Sequence, residues 1–316
     1  MSKTILVTGS TGFLGRHLVP ILIEAYGDSN VIGVNSRDFD LLRRDSTEDM
    51  LKTYRPDVVI HLAAYSGGIG ANEKYPADFF FKNTQFVSNM FDAAAKFKVN
   101  KMIYPMGGCS YPAKANSPIS EDQMWNGYPQ IESAGYSVAK KIGIVASQSY
   151  RSQFDFNSVV LIPGNMYGEF DNFRDGESHV IPAMVRRYYE AKLRGNADIV
   201  MWGDGSPLRD FVYAGDVAKA ILWFIGNYDS SEPVNISSGT ETSIKELAET
   251  IKSKMNWNGQ IKWDVEKPNG QLIKIFDTKK LNSLGLSCET SLADGLDKTI
   301  RWLEKNYVSR GDGIRL

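Results

Sequence analysis

The chain is poor in cysteine and histidine. Its 316 residues include only Cys109 and Cys288, and three histidines at 17, 61 and 179. That usage excludes a disulfide framework and a thiolate cluster, and the histidines show no metal-ligand spacing. The expectation is a reducing, cytoplasmic setting and no metal. Charge imbalance is also missing: 36 basic and 37 acidic side chains leave a net charge of -1, so nothing points to nucleic acid or an anionic membrane. An anionic ligand must therefore be held by local groups. No apolar run approaches the roughly 18 residues of a membrane span, and Met1-Ser2-Lys3-Thr4 leads directly into a strand pattern without a signal-peptide signature. Asn235-Ile236-Ser237 fits a glycosylation acceptor but reads as the end of a strand. Internal repeats and low-complexity tracts are absent.

What is present is a chain 42% hydrophobic and 23% charged, long enough for a large core in two lobes or one large α/β unit. Thr4-Ile5-Leu6-Val7 reads as a strand and Thr8-Gly9-Ser10-Thr11-Gly12-Phe13-Leu14-Gly15 as a glycine turn. Leu18, Ile21, Leu22 and Ile23 then mark a helix. Glycines let the backbone approach a pyrophosphate, and the amides at a helix N-terminus hold its charge, so the pattern points to a dinucleotide. A second strand, 31–35, ends at Ser36-Arg37-Asp38, where adenosine recognition falls. Arg37 with Ser36 suits a 2′-phosphate and hence NADP(H), while Asp38 keeps NAD(H) open as the less favoured cofactor. The run 58–64 is a buried strand whose small end, Ala63-Ala64, allows close approach of the cofactor; His61 within it reads as a structural histidine. Ser66-Gly67-Gly68-Ile69-Gly70 reads as a flexible loop. A long helix over 76–98 places Phe80, Phe81, Phe86, Met90, Phe91 and Ala94 on a core or dimer face. The fourth strand, Met102-Ile103-Tyr104, runs into Gly107-Gly108-Cys109.

Tyr136 and Lys140 are four residues apart on a predicted helix and so share one face. An ammonium beside a phenol favours the ionised form, which would let Tyr136 exchange a proton with a sugar or alcohol oxygen. After a strand at 158–162 the β-α alternation loosens through the charged, glycine-rich stretch 169–178. The predicted architecture is α/β, a Rossmann-type doubly wound parallel sheet formed by 1–163 with parts of 210–240, and a smaller interleaved α/β substrate lobe formed by 164–209 and 237–316. His179 opens a helix over 181–193 bearing Arg186, Arg187, Lys192 and Arg194. A strand at 199–202 passes through Gly203-Asp204-Gly205 to Arg209-Asp210-Phe211, where an arginine after a glycine turn suits a diphosphate. Helices at 216–225, 244–255 and 292–306, strands at 234–236 and 261–263, and a segment beginning at Pro268 complete the reading.

The glycine turn, His61-Leu62-Ala63-Ala64 and Tyr136-Ser137-Val138-Ala139-Lys140 together resemble the extended short-chain dehydrogenase/reductases. The second half narrows this to the GDP-L-fucose synthases, through Pro163-Gly164-Asn165-Met166-Tyr167-Gly168, Asp171-Asn172-Phe173, Ser178-His179-Val180-Ile181-Pro182, Glu190-Ala191-Lys192, Trp202-Gly203-Asp204-Gly205 and Arg209-Asp210-Phe211. Nearly the whole chain is covered. The resemblance implies a GDP-linked 4-keto sugar as substrate, epimerised at C3 and C5 and then reduced at C4 with NADPH, and a homodimer through helices near 79–97 and 136–153. It implies catalytic roles for Tyr136 and Lys140, with Cys109 and His179 as the epimerisation pair. Cofactor contacts are implied for Gly9, Thr11, Gly12, Phe13, Leu14, Gly15, Ser36, Arg37, Ala63, Ala64, Tyr136, Lys140, Pro163, Asn165 and His179. Substrate contacts are implied for Gly107, Asn165, Arg187, Trp202, Arg209 and Lys274.

Two positions depart from the family pattern. Gly107-Gly108-Cys109 stands where the family has Ser-Ser-Cys, so the serine of a Ser-Tyr-Lys triad is missing; losing such a donor costs about 3 kcal/mol of transition-state stabilisation. Ile273 stands where a basic residue is expected beside Lys274. Three other readings stay open: a GDP-4-keto-heptose reductase without epimerase activity, which the roomier Gly107-Gly108 pocket favours; a nucleotide-sugar 4-epimerase or dehydratase with bound NAD, although Gly108-Cys109 lacks the acid a dehydratase needs; and a non-catalytic nucleotide-binding protein, against which Tyr136 and Lys140 count.

Overall fold

The computed structural model describes residues 3–195, 197–267 and 269–310, the side chains of 308–310 excepted. Met1, Ser2, Pro268 and residues 311–316, which enter the sequence reading, lie outside the described residues. The first half alternates: β1 (Ile5–Thr8), α1 (Phe13–Tyr26), β2 (Val31–Val34), α2 (Arg44–Tyr54), β3 (Val58–His61), α3 (Ile69–Lys74), α4 (Pro76–Lys96), β4 (Lys101–Pro105), α5 (Ala134–Phe154) and β5 (Ser158–Pro163). The second half is more broken: β6 (Asn165–Tyr167), α6 (Val180–Leu193), β7 (Ile199–Trp202), β8 (Leu208–Arg209), β9 (Phe211–Tyr213), α7 (Ala214–Asn227), β10 (Val234–Ile236), β11 (Thr242–Ser243), α8 (Ile244–Lys254), β12 (Ile261–Asp264), β13 (Ile273–Lys274), α9 (Lys279–Ser283) and α10 (Leu292–Arg310).

Six strands form one parallel sheet in the order β10-β5-β4-β3-β1-β2. β1, β3, β4 and β5 are buried along their whole length. That is why they read as continuous apolar runs: helices cover both faces of the sheet. On one face Met90 and Phe91 of α4 and Ile144 of α5 pack with Met102 and Tyr104. On the other, Leu14 and Leu18 of α1 and Ile221 and Phe224 of α7 pack with Ile5 and Ile60. A separate core in the second half gathers Tyr188, Ile251, Trp257 and Leu296 from α6, α8, the turn after it, and α10. Parallel register sets Thr8 beside His61 and ends every strand of the main sheet at one edge; ligands of doubly wound sheets bind at that carboxyl edge.

The structure adds elements that sequence periodicity did not mark. α2 buries only Thr47, Met50 and Leu51, too narrow an apolar stripe to stand out among its charges. The glycines at 67–70 do not all belong to a free loop, because α3 begins at Ile69 and the Gly68 amide donates to the Glu177 carbonyl at 2.8 Å. The aromatic stripe of α4 divides: Phe79 and Phe91 are buried, whereas Phe80 and Phe81 are exposed.

Candidate active site

The cofactor turn is closed by its own backbone. The Thr8 hydroxyl meets His61 Nδ1 at 2.9 Å and accepts the Ala63 amide at 3.2 Å, tying the end of β1 to the end of β3. Gly9 then enters the left-handed region at φ 68, where a side chain is strained. A Cβ at Gly15 would stand 2.4 Å from the Gly9 carbonyl oxygen. No side chain caps α1, whose N-cap is Gly12, so its first amides keep their positive partial charge for an anion. Thr11 belongs to this same turn, and Phe13 and Leu14 open α1. Beyond β2, Ser36 and Arg37 are exposed. Asp38 is engaged by the Asn35 amide at 2.9 Å and Asp40 by the Leu42 amide at 3.0 Å. The Arg37 guanidinium makes no hydrogen bond or ion pair among the described residues, and only its amide is engaged, by Asn35 Oδ1. The cradle fits a dinucleotide pyrophosphate, and the free cation fits a phosphate on the adenosine ribose. His61 is fully buried, and desolvation holds its imidazole down to about 3; it is a neutral structural group.

The candidate catalytic residues lie on α5 and on the turn after β4. Lys140 is 3% exposed, and its ammonium lies 4.3 Å from the centre of the Tyr104 ring. The Tyr104 hydroxyl donates to the Lys140 carbonyl at 3.2 Å. Gly107 is extended, φ -108 and ψ 142, so its backbone does not require glycine. A Cβ there would stand 3.8 Å from the Tyr136 hydroxyl and 3.0 Å from Cys109 Sγ. Gly107 therefore occupies the place from which a serine would reach the phenol, and the Cys109 thiol borders the same space. Gly108 differs: a Cβ there would meet the Phe276 ring at 2.5 Å, so Phe276 fills the volume of the missing side chain.

Electrostatics corrects one expectation. Burial pushes the Tyr136 phenol well above its ordinary range, with Cys109 adding to the shift, and burial lowers the Lys140 ammonium to about 7. Desolvation thus outweighs the pull of the ammonium on the phenolate. Tyr136 stays protonated, a state that suits a proton donor.

On the substrate side, Arg209 and Lys274 are register partners on β8 and β13. Burial lowers both, and for Lys274 the Arg209 charge adds to the lowering while Cys109 opposes it. Two cations held side by side in a desolvated place call for an anion between them. The neighbouring Asp210 carboxylate accepts the Ser238 amide at 3.2 Å and hydroxyl at 2.7 Å, the Gly239 amide at 3.1 Å and the Phe276 amide at 3.3 Å. Asn165 donates to the Asp210 carbonyl at 2.9 Å, which fixes the residue following Pro163-Gly164. His179 is the N-cap of α6; the residue as a whole is exposed, yet the surrounding protein lowers its pKa by desolvation. No contact among the described residues joins His179 to Cys109. Arg187 is exposed and donates to the Val200 carbonyl at 3.2 Å, and Trp202 is 67% exposed. Among the described residues neither touches the group around Tyr136.

Residues 5–237 match the NAD dependent epimerase/dehydratase family. The chain belongs to this family. GDP-L-fucose synthase 1 of Arabidopsis thaliana is 38% identical over 98% of this chain and 95% of its own length. GDP-L-fucose synthase of Escherichia coli is 34% identical over 97% of this chain and 98% of its own length. Among solved structures, a GDP-L-fucose synthetase from Naegleria fowleri bound to NADP superposes with a TM-score of 0.87 at 30% identity, covering 98% of this chain and 96% of that one.

Within this epimerase/dehydratase fold three further residues shape the site: Tyr104 and Phe276, which no family motif marks, and Asp210, which the Arg209-Asp210-Phe211 run contains without revealing its role. Tyr104 lies under Lys140, Phe276 fills the space beside Gly108, and Asp210 gathers three segments. A signal for the first existed: Gly143 sits inside a helix, three residues after Lys140, where glycine costs stability. A Cβ there would come 2.2 Å from Tyr104 Cε1.

Proposed function

We propose that the chain is an NADPH-dependent 4-reductase of a GDP-4-keto-6-deoxy sugar, with epimerisation at C3 and C5 as a second activity. The observation that carries this reading is the grouping of Tyr136 and Cys109 beside Gly107, with the Lys140 charge acting on the same Cys109 and the Arg209–Lys274 pair on the paired strands β8 and β13. The relatives named above support the GDP-linked sugar. Gly9, Thr11, Gly12, Phe13, Leu14, Gly15, Ala63, Ala64 and Pro163 would hold the cofactor, and Ser36 and Arg37 its 2′-phosphate; once bound, NADPH supplies the hydride that C4 receives. Arg209 and Lys274 hold the diphosphate, with Arg187 and Trp202 further out towards the base. Tyr136 gives its proton to the C4 oxygen as that oxygen gains negative charge, and the Lys140 ammonium supports the developing phenolate. For epimerisation the 4-keto group acidifies the C3 and C5 hydrogens. Cys109 and His179 then remove a proton from one face of the ring and return one to the other.

The test is NADPH oxidation with GDP-4-keto-6-deoxymannose in deuterated water. Turnover with deuterium at C3 and C5 of the product is expected, and Tyr136→Phe should lower kcat at least about a hundredfold. No turnover by the wild type sinks the reductase; turnover without deuterium removes only the epimerase. The open space at Gly107 favours a second reading, a GDP-4-keto-heptose as substrate. A higher kcat/KM for the heptose in the same assay would select it.

We also place the cofactor lobe at 1–163 with parts of 210–240 and the sugar-nucleotide lobe at 164–209 and 237–316, and we assign a cytoplasmic homodimer. The dimer contact falls on α4 and α5, where Phe80, Phe81, Val145 and Phe154 expose apolar surface. Analytical ultracentrifugation of the wild type and of Phe81→Glu reads this directly: a dimer that dissociates on substitution is expected, and a wild-type monomer contradicts it.

A further inference from the structure

We propose that Tyr104 is a positioning residue whose buried ring holds the Lys140 ammonium through its π face. The inference rests on the reductase reading for its kinetic consequence, but its geometry stands on the fold. The Lys140 ammonium is almost wholly buried, makes no hydrogen bond or ion pair among the described residues, and lies 4.3 Å from the Tyr104 ring centre. A buried ammonium without an acceptor is costly, and an aromatic face within about 6 Å is the electron-rich surface able to offset that cost.

The surroundings are arranged to keep the ring there. Its hydroxyl is anchored on the Lys140 carbonyl at 3.2 Å. Gly143 leaves α5 open for it, because any Cβ would overlap the ring edge at 2.2 Å. The His61 ring stacks against it at 5.9 Å, and the Thr8 hydroxyl pins that imidazole at 2.9 Å; Phe91 packs edge-on at 5.8 Å. The titratable groups facing Lys140 are His61 from β3, Tyr104 from β4, Cys109 from the turn after β4, and Tyr136 on its own helix. His61 stays neutral and so does not repel the ammonium. A chain of contacts thus runs from the cofactor turn through Thr8, His61 and Tyr104 to Lys140.

The discriminating experiment replaces position 104 by Tyr104→Phe and then by mono-, di- and trifluorinated phenylalanine, which keep ring size while draining the π face. The pH dependence of kcat/KM for ketone reduction is followed in parallel with an NMR titration of the Lys140 ε-methylene. Phenylalanine should leave the alkaline limb and the Lys140 titration in place. Progressive fluorination should move both to lower pH, by about half a unit or more in total. Identical titrations across the series overturn the proposal, since a ring serving only as core packing is insensitive to fluorine. If the wild type reduces no GDP-4-keto sugar, the reductase reading fails while the NMR titration still decides the role of the ring.

Discussion

After β1 the chain turns on Gly9, Gly12 and Gly15; after β4 it turns on Gly107 and Gly108. The two turns lie at the same edge of one sheet, yet they use glycine for different reasons. In the first, backbone fills the space: Gly9 needs φ 68, and a Cβ at Gly15 would sit 2.4 Å from a carbonyl oxygen. In the second, Gly108 is imposed by a side chain, Phe276, and Gly107 is opposed only by the Cys109 sulfur, which a Cβ would approach to 3.0 Å. The Gly107 backbone is extended, and the atoms nearest its absent Cβ are those of Cys109 and Tyr136. The first turn is fixed by geometry, and the second is where the chemistry can have changed.

Gly15→Ala tests the first turn with the largest expected effect. A Cβ would overlap the Gly9 and Ser10 carbonyl oxygens at 2.4 and 2.5 Å, so stability should fall by about 3 kcal/mol and NADPH affinity should drop beyond measurement in a fluorescence titration. Ordinary NADPH affinity would erase the contrast between the turns. Next, Gly108→Ser should cost about 1 to 3 kcal/mol in urea unfolding. In a double-mutant cycle Phe276→Leu should recover part of that cost; additivity would show that the ring is not the obstacle. Smaller again, Gly107→Ser should leave stability within about 1 kcal/mol and raise kcat for ketone reduction about tenfold, less than the roughly hundredfold lost when an evolved donor is removed. An unchanged kcat means that another donor already serves the oxygen.

Acid is the mildest lever. The folded state keeps His61 neutral down to about 3, whereas the unfolded chain takes up that proton near 6.5. Stability is therefore intact above that range and declines as pH falls through 6.5 towards 3, by under about 1 kcal/mol between pH 7 and 6. Denaturant midpoints of the wild type and His61→Gln at those pH values should differ by this step, and equal slopes would deny it.

The parallel sheet and the cofactor turn were legible because their signals are local: unbroken apolar runs for strands buried on both faces, and a glycine spacing that backbone packing demands. The position of Gly107 was legible too, since it is a gap in a contiguous motif. The direction of the Tyr136 shift was not. Spacing on a helix states which groups are neighbours, whereas desolvation depends on everything folded around them, here Phe79, Tyr104 and Cys109 from other elements. Phe276 and Asp210 were hidden for the same reason, their partners lying far away in the chain. The short strands β8, β11 and β13 carry too few residues for any period to emerge.

The Asp210 carboxylate bears on the order in which the enzyme is made. It gathers amides from residues 238, 239 and 276, while five of the six strands of the main sheet are complete by Pro163. On the ribosome, the cofactor half can begin to assemble when little more than half of the polypeptide has emerged. The region around Asp210, part of the lobe we propose for the sugar nucleotide, must wait for Phe276, so a chain truncated before that point would carry most of the main sheet with that region unformed.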